Sequence, residues 1–332
     1  MKKKILIITD NVPSQINGVV TTYKNIEKHA LDDGYRVQYL HPEQFKHFST
    51  RLYPDLKFAW PVKIGYPIQV VNPDYIHIAT EGPMGIAARI YLSRHGIPYT
   101  SAYHTKFPEA LKKICKIPEF LTWPLIRWFH KDSRAVLTTT KSMVEQLKSK
   151  GFENTVSPWT RGVDRSTFCP VKRNKSPMPI LLCVSRVSAE KNLEAFFDLD
   201  IPGMKKIMVG DGPKLNEYKR KYPNVEFVGA KTGKELASFY QQADAFVFPS
   251  RWDTFGLVMI ESMACGTPVA AYPVQGPLDV VVQGVNGVLD DDLSVAVNRA
   301  LDLNRDTVYT SSLDWNWHKA WQIFKDSLIS IT

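Results

Sequence analysis

Cysteine is scarce: Cys115, Cys169, Cys183 and Cys265 are the four in 332 residues, and none forms a C-x-x-C pair or has a histidine at ligand spacing. That excludes a zinc ribbon and a disulfide framework, and it fits a reducing, cytoplasmic compartment. Long apolar runs are missing too. No stretch approaches the ~18 apolar residues of a membrane-spanning helix, and the run Ile5 to Ile8 falls short of the ~7 to 15 residues of a signal peptide's apolar region, so no export signal is expected. Nothing repeats at a fixed short period, which excludes solenoids. The first half also lacks acid: through Arg165 there are 24 Lys+Arg against 14 Asp+Glu, and beyond it 18 against 19. A basic half implies an anionic partner, which charge alone leaves open among nucleic acid, an acidic membrane face and a phosphorylated ligand.

Apolar residues at 44% and charged residues at 23% are ordinary for a globular chain, so disorder and collagen-like classes are excluded. Short apolar runs of strand length alternate with helical patterns throughout, first from Ile5 to Thr139 and again from Ile180 to Tyr272, which predicts an α/β fold with two doubly wound parallel sheets. The proline- and base-rich stretch Pro170 to Pro179 reads as a linker. The expected domains are therefore 1–168 and 169–312, facing across a cleft at the carboxyl ends of their strands, with a tryptophan-rich helix over 313–332 packing across them.

The richest local signal runs Pro249-Ser250-Arg251-Trp252-Asp253-Thr254-Phe255-Gly256-Leu257-Val258-Met259-Ile260-Glu261. It reads as a strand end, a loop and a helix start. Two carboxylates at that spacing can hold different parts of one ligand, since each accepts hydrogen bonds from vicinal hydroxyls, and the amides of Thr254, Phe255 and Gly256 add donors beside them. Equally, Asp253 could be a helix cap and Glu261 a solvated helix residue. Arg186 and Lys191, just past the strand Ile180 to Val184, could clamp a pyrophosphate from two sides, or be solvated bases at a helix start. Gly18, after Asn17, would let a loop approach phosphates closely. His104 follows the strand Tyr99 to Tyr103, with Glu109 in the same loop. Asp198-Leu199-Asp200 spells a metal-holding D-x-D but falls at the wrong end of its helix, and no metal or other cofactor is expected.

The Asp253 to Glu261 block resembles the E-x7-E motif of retaining glycosyltransferases of the GT-B fold, family 4, with Asp253 where most members have Glu. Asn17-Gly18-Val19, Tyr103-His104-Thr105-Lys106-Phe107-Pro108-Glu109, Arg161-Gly162-Val163-Asp164, Ser185-Arg186 with Glu190-Lys191-Asn192, and Gly210-Asp211-Gly212-Pro213 match the same family in order. The resemblance implies two Rossmann-like domains and metal-independent transfer of a hexose from a nucleotide diphosphate sugar, UDP-hexose or GDP-mannose, giving an α-glycosidic bond. It implies that Arg186 and Lys191 hold the diphosphate, that Asp253 with Thr254, Phe255, Gly256 and Leu257 holds the sugar, and that Glu261 holds the ribose. Gly18 would approach the phosphates, Gly210 and Val228 would border the base, and His104 would lie against the donor sugar. A nucleotide-sugar epimerase or hydrolase, and a non-catalytic nucleotide-sugar or membrane-binding protein, are the rival readings.

For the acceptor, the segment Ile114 to Lys131 crowds Ile117, Phe120, Leu121, Trp123, Leu125, Ile126, Trp128 and Phe129 between Lys112, Lys113, Lys116 and Arg127, His130, Lys131. That is the composition of an interfacial membrane element, though a buried helix pair is the competing reading. The Tyr103 to Glu109 loop and the Asp253 block are similar to the branch of the family that glycosylates membrane lipids such as diacylglycerol. The resulting expectation is a lipid acceptor at an anionic membrane surface, with no nucleic-acid partner and a peripheral, cytoplasmic location. Tyr103, Glu109, Lys112, Lys113, Trp123, Arg127 and Trp128 are the candidate acceptor and membrane residues. A soluble or polyprenyl-linked saccharide is the alternative acceptor.

Overall fold

The computed structural model describes residues 2–15, 17–49, 57–61, 63–104, 106–109, 112, 116–173 and 178–331. The chain divides into two compact units, Met1–Arg161 with Trp317–Thr332, and Gly162–Asn316. In the first unit lie β1 (Lys3–Ile8), α1 (Gly18–Asp32), β2 (Tyr35–Leu40), a hairpin of β3 (His47–Ser49) and β4 (Lys57–Ala59), α2 (Gly65–Val71), β5 (Tyr75–Ile78), α3 (Pro83–Arg94), β6 (Thr100–Tyr103), α4 (Glu119–His130), β7 (Ala135–Thr138), α5 (Lys141–Ser149) and β8 (Thr155–Pro158). Its sheet is ordered β2-β1-β5-β6-β7-β8 with every pair parallel. Ile5 to Ile8 are completely buried without alternation, because a parallel strand has helices over both faces.

The second unit repeats the plan. It holds β9 (Ile180–Val184), α6 (Glu194–Phe197), β10 (Lys205–Val209), α7 (Leu215–Lys221), β11 (Val225–Gly229), α8 (Gly233–Gln242), β12 (Ala245–Phe248), α9 (Leu257–Ala264), β13 (Val269–Ala271), α10 (Pro277–Val280), β14 (Gly287–Leu289), α11 (Leu293–Ala300) and α12 (Arg305–Ser311). The sheet order β11-β10-β9-β12-β13-β14 reverses direction between β9 and β12. Loops leaving neighbouring strands at such a reversal diverge to opposite faces and leave a crevice for ligand.

Two boundary expectations need correction. The chain passes between units at Arg161/Gly162 and Asn316/Trp317, not at 168 and 312. In the expected linker, Arg173 donates to the carbonyl of Gln242 and pairs with Asp244, both in the second unit, so those bonds tie it down. The last helix, α13 (Trp317–Ser327), belongs to the first unit. Trp159 Nε1 donates to the Ala320 carbonyl at 2.9 Å, and Trp321 Nε1 and Lys325 Nζ both reach Asp33 at the end of α1. Its apolar face, with Trp317, Ala320, Trp321 and Phe324 buried, covers that sheet.

Candidate active site

At the reversal in the second sheet, the loops after β9 and β12 bring two sequence-distant candidates together. After β9 the chain makes a 3-10 turn, Ala189–Lys191, ended by Asn192 in the left-handed region, whose side chain donates to the Pro249 carbonyl after β12 at 3.0 Å. This fastens one loop to the other. Lys191 Nζ then lies 2.6 Å from Asp253 Oδ1, the side chains 24% and 22% exposed. Solvent and ligand can therefore reach the pair, which a fully buried ion pair would not allow. Arg186 is half-buried in the same β9 loop.

The glycines explain how the loops come so close. Gly210, with φ +146°, sits where a Cβ would fall 1.8 Å from the Ser185 carbonyl oxygen, so the β10 loop can press on the base of the Arg186 loop only without a side chain. Gly276, at φ +97°, supports the Asp253 carbonyl in the same way, a Cβ there falling 2.6 Å from that oxygen. Val228 is half-buried near the end of β11. Thr254 and Phe255 are buried, Phe255 edge-on to Trp315. Gly256, left-handed, is the N-cap of α9. The three loop amides thus precede the helix, which begins at Leu257, and do not belong to its first turn.

Glu261 lies on α9 and receives a hydrogen bond from the Tyr240 hydroxyl at 3.1 Å. Burial pushes its carboxyl up to about 7, and the tyrosine bond opposes that rise. Unlike a solvated helix residue, it titrates near neutrality. Asp198 caps the C-terminus of α6, and among the described residues no group of three His, Cys, Asp or Glu is arranged to hold a metal ion.

In the first unit, Asn17 caps α1 by accepting the Val20 amide at 2.9 Å, which makes Gly18 the first helical residue. His104 is buried just past β6 at the centre of a hydrogen-bond chain. Arg161 NH2 donates to its Nδ1 at 3.0 Å, its Nε2 meets the Tyr23 hydroxyl at 3.1 Å, that hydroxyl meets His77 Nε2 at 2.8 Å, and His77 Nδ1 meets Thr100 Oγ1 at 2.8 Å. A guanidinium can only donate, so Nδ1 of His104 must accept and Nε2 carries the proton. The Tyr23 proton then points to His77. Burial, reinforced by Arg161, drives the His104 pKa well below the usual histidine range, so the ring is neutral. Both ring nitrogens are thus engaged inside this unit. Sequence reasoning gave no role to Tyr23, His77 or Arg161. Each comes from a different element, and only Arg161 stood in a recognised motif.

Among the acceptor candidates, Tyr103 is completely buried and its ring stacks on Trp123. Glu109 accepts from Gln146 at 3.1 Å, and Lys112 pairs with Glu119 on the surface. Lys113, like Thr105, lies outside the described residues. Trp123 is corrected from a surface residue to core: helical phase turns it inward with Ile126 and Phe129. Trp128 is half-buried beneath Arg89, whose guanidinium stands 4.1 Å from the ring centre. The outward face of α4 instead carries Phe120, Leu121 and Leu125, exposed by 72%, 57% and 45%. Beside it lies a groove of about 390 Å³ lined by Phe120, Trp123, Pro124, Arg127, Ser149, Lys150 and Gly151. No helix among the described residues is long and apolar enough to cross a membrane.

Comparison with known proteins accounts for this paired architecture. Residues 16–167 match the family model for Glycosyltransferase Family 4, and residues 164–303 that for Glycosyl transferases group 1. The chain belongs to glycosyltransferase family 4. Among curated family members it is similar to a GDP-mannose-dependent alpha-mannosyltransferase of Corynebacterium glutamicum, 28% identical over 87% of this chain and 76% of the relative. It is also similar to the alpha-monoglucosyldiacylglycerol synthase of Streptococcus pneumoniae, 26% identical over 98% of this chain and 86% of the relative. The sucrose-phosphate synthase of Thermosynechococcus elongatus shares its fold, with a TM-score of 0.81 at 18% identity over 98% of both chains. The fold of this glycosyltransferase is GT-B, two Rossmann-like halves.

Proposed function

We propose that this glycosyltransferase moves a hexose from a nucleotide diphosphate sugar to the hydroxyl of a membrane lipid such as diacylglycerol, with retention at the anomeric carbon. The observation that carries the donor half is the Lys191–Asp253 pair at the reversal of the second sheet. A bound donor offers each partner a better one: its diphosphate competes for Lys191 and Arg186, and its sugar hydroxyls take Asp253. Glu261 accepts from the ribose diol, and Gly210 and Val228 border the base. In the transfer, the bond from the anomeric carbon to the phosphate oxygen breaks and a bond to the acceptor oxygen forms on the same face. The acceptor proton passes to the departing phosphate oxygen. The protein's own part is preorganised positive charge on the leaving group, supplied by Arg186 and Lys191. This reading needs no metal.

Support for a lipid acceptor comes from the diacylglycerol-named relative and from the outward face of α4. Phe120, Leu121 and Leu125 suit the acyl boundary, while Arg127, Lys150 and the groove beside them suit anionic headgroups. The mannosyltransferase relatives favour GDP-mannose as donor, and the glucosyl group in the synthase's name favours an activated glucose. A thermal-shift screen of both donors, followed by transfer to diacylglycerol in anionic vesicles, tests the reading. Transfer to a soluble saccharide with none to lipid would replace the acceptor half. Donor binding with no transfer to any acceptor would leave a non-catalytic binder.

A further inference from the structure

We propose that Tyr240 is a positioning residue of the donor site: its hydroxyl holds one oxygen of the Glu261 carboxylate so that the other faces the vicinal diol of the donor's ribose in charged form. The inference rests on the donor reading above and adds a residue that touches no substrate.

Tyr240 is completely buried on α8, and its hydroxyl can satisfy a carboxylate at 3.1 Å only by donating to it. Its backbone is fixed from the other side. Its carbonyl accepts from the Thr267 hydroxyl, and that oxygen accepts from Arg305 NH2 at 2.8 Å. The same guanidinium donates through NH1 to the Ala243 carbonyl at 2.6 Å, just past the end of α8. The phenol is therefore held by a chain of bonds running from α12 through Thr267, and the carboxylate it grips cannot swing away. Among the described residues, Glu261 makes its one side-chain hydrogen bond through Oε2. Oε1 remains for a ligand.

The carboxyl sits where its charge is in question, since burial favours the protonated form and only the tyrosine bond counters it. The other titratable groups packed around the pair are the thiol of Cys265, which follows α9 and is pushed up to about 12, and that of Cys183 on β9, also pushed up by burial. Both are neutral at physiological pH. The tyrosine phenol is itself raised well above its ordinary value, so near neutrality Glu261 is the member of this group that changes charge.

The test is calorimetric titration of UDP-glucose and GDP-mannose into the full chain from pH 5.5 to 8.5, with wild type, Tyr240→Phe and Glu261→Gln compared. These diphosphodiesters have no ionisation in that window, so the profile reports the protein. Wild-type affinity should rise with pH about a midpoint near 7, as Glu261 ionises. Loss of one hydrogen bond to the charged form moves that midpoint up by about one pH unit in Tyr240→Phe. Affinity should then be about threefold weaker at pH 7.5 and nearly restored at pH 8.5. Glu261→Gln should be weak and flat throughout. A Tyr240→Phe profile with the wild-type midpoint overturns the inference, whether or not affinity drops uniformly, because a merely structural tyrosine would not move it. Wild-type binding by Glu261→Gln, or binding of neither donor by the wild type, overturns the donor reading instead.

Discussion

The carboxyl edges of the two sheets hold their polar groups in opposite ways. In the first unit, Arg161, His104, Tyr23, His77 and Thr100 are buried and satisfy one another in a chain whose proton directions are all forced by one guanidinium. In the second, Lys191 and Asp253 are paired within reach of solvent, and Glu261 hovers between charged and neutral. Interlocked groups give rigidity and have no spare valence for a ligand. Half-exposed, mutually paired groups can exchange partners at little cost. On the proposed reading, ligand exchange falls to the second unit's loops, while the first unit's buried chain fixes the position of His104.

The sharpest way to break this contrast is to remove the exchangeable cations. Lys191→Ala or Arg186→Ala should lower turnover at least about a hundredfold while leaving the circular dichroism and melting temperature of the wild type, because on the proposed reading each removes a charge-assisted bond to the leaving group. Wild-type rates in both would move the donor elsewhere.

Glu261 offers a second test, of stability rather than rate. Burial raises its carboxyl from 4.5 to about 7, so between those values the folded protein holds a proton that the unfolded chain has released, and stability falls as pH climbs through that window. Glu261→Gln cannot ionise. Without ligand it should be more stable than wild type by about 3 kcal/mol at pH 8.5 and no more stable at pH 4.5, as read by denaturant titration. A constant difference across pH would deny the burial argument.

Much of the proposed donor site's placement was legible in the sequence, for a physical reason. Asp253 and Glu261 lie on one loop and the helix it starts, so their spacing encodes their placement. Arg186 and Lys191 lie on one loop after a strand. The buried runs such as Ile5 to Ile8 announced parallel strands because both faces are covered. The first unit's network was illegible because Tyr23, His77, His104 and Arg161 come from separate segments that only the fold assembles, and no local pattern marks them. Trp123 misled for a related reason: composition identified an amphipathic segment, and the choice of inward face was made by the helical phase of Ile126 and Phe129. The last helix read as a bridge because its four buried residues show that it packs without showing on what.

Smaller effects sharpen the comparison further. Tyr23→Phe removes the hydroxyl between His104 Nε2 and His77 Nε2, and two buried ring nitrogens lose a partner. It should cost about 1.5 kcal/mol of stability and leave donor affinity within about twofold of wild type, measured by denaturant titration and calorimetry. Unchanged stability would mean the chain is not the lock described. On the surface, Leu121→Ser with Leu125→Ser should lower co-sedimentation with anionic vesicles about tenfold at low salt while shifting stability by no more than about 0.5 kcal/mol. Undiminished sedimentation would remove α4 from the membrane reading. Smallest of all, excess EDTA should leave the turnover rate unchanged if, as proposed, Arg186 and Lys191 supply the positive charge. Complete loss restored by Mg²⁺ would return attention to Asp198 and Asp200.

The return of α13 to the first unit has a consequence for how the protein is made. Until Trp317 to Ile331 leave the ribosome, α1 lacks its cover and the Trp159 indole lacks the Ala320 carbonyl. Residues 162–316 are by then already synthesised and carry their own complete sheet. Domains usually mature in the order they are translated, but here the second unit's residues are all synthesised before the helix that covers the first unit's α1.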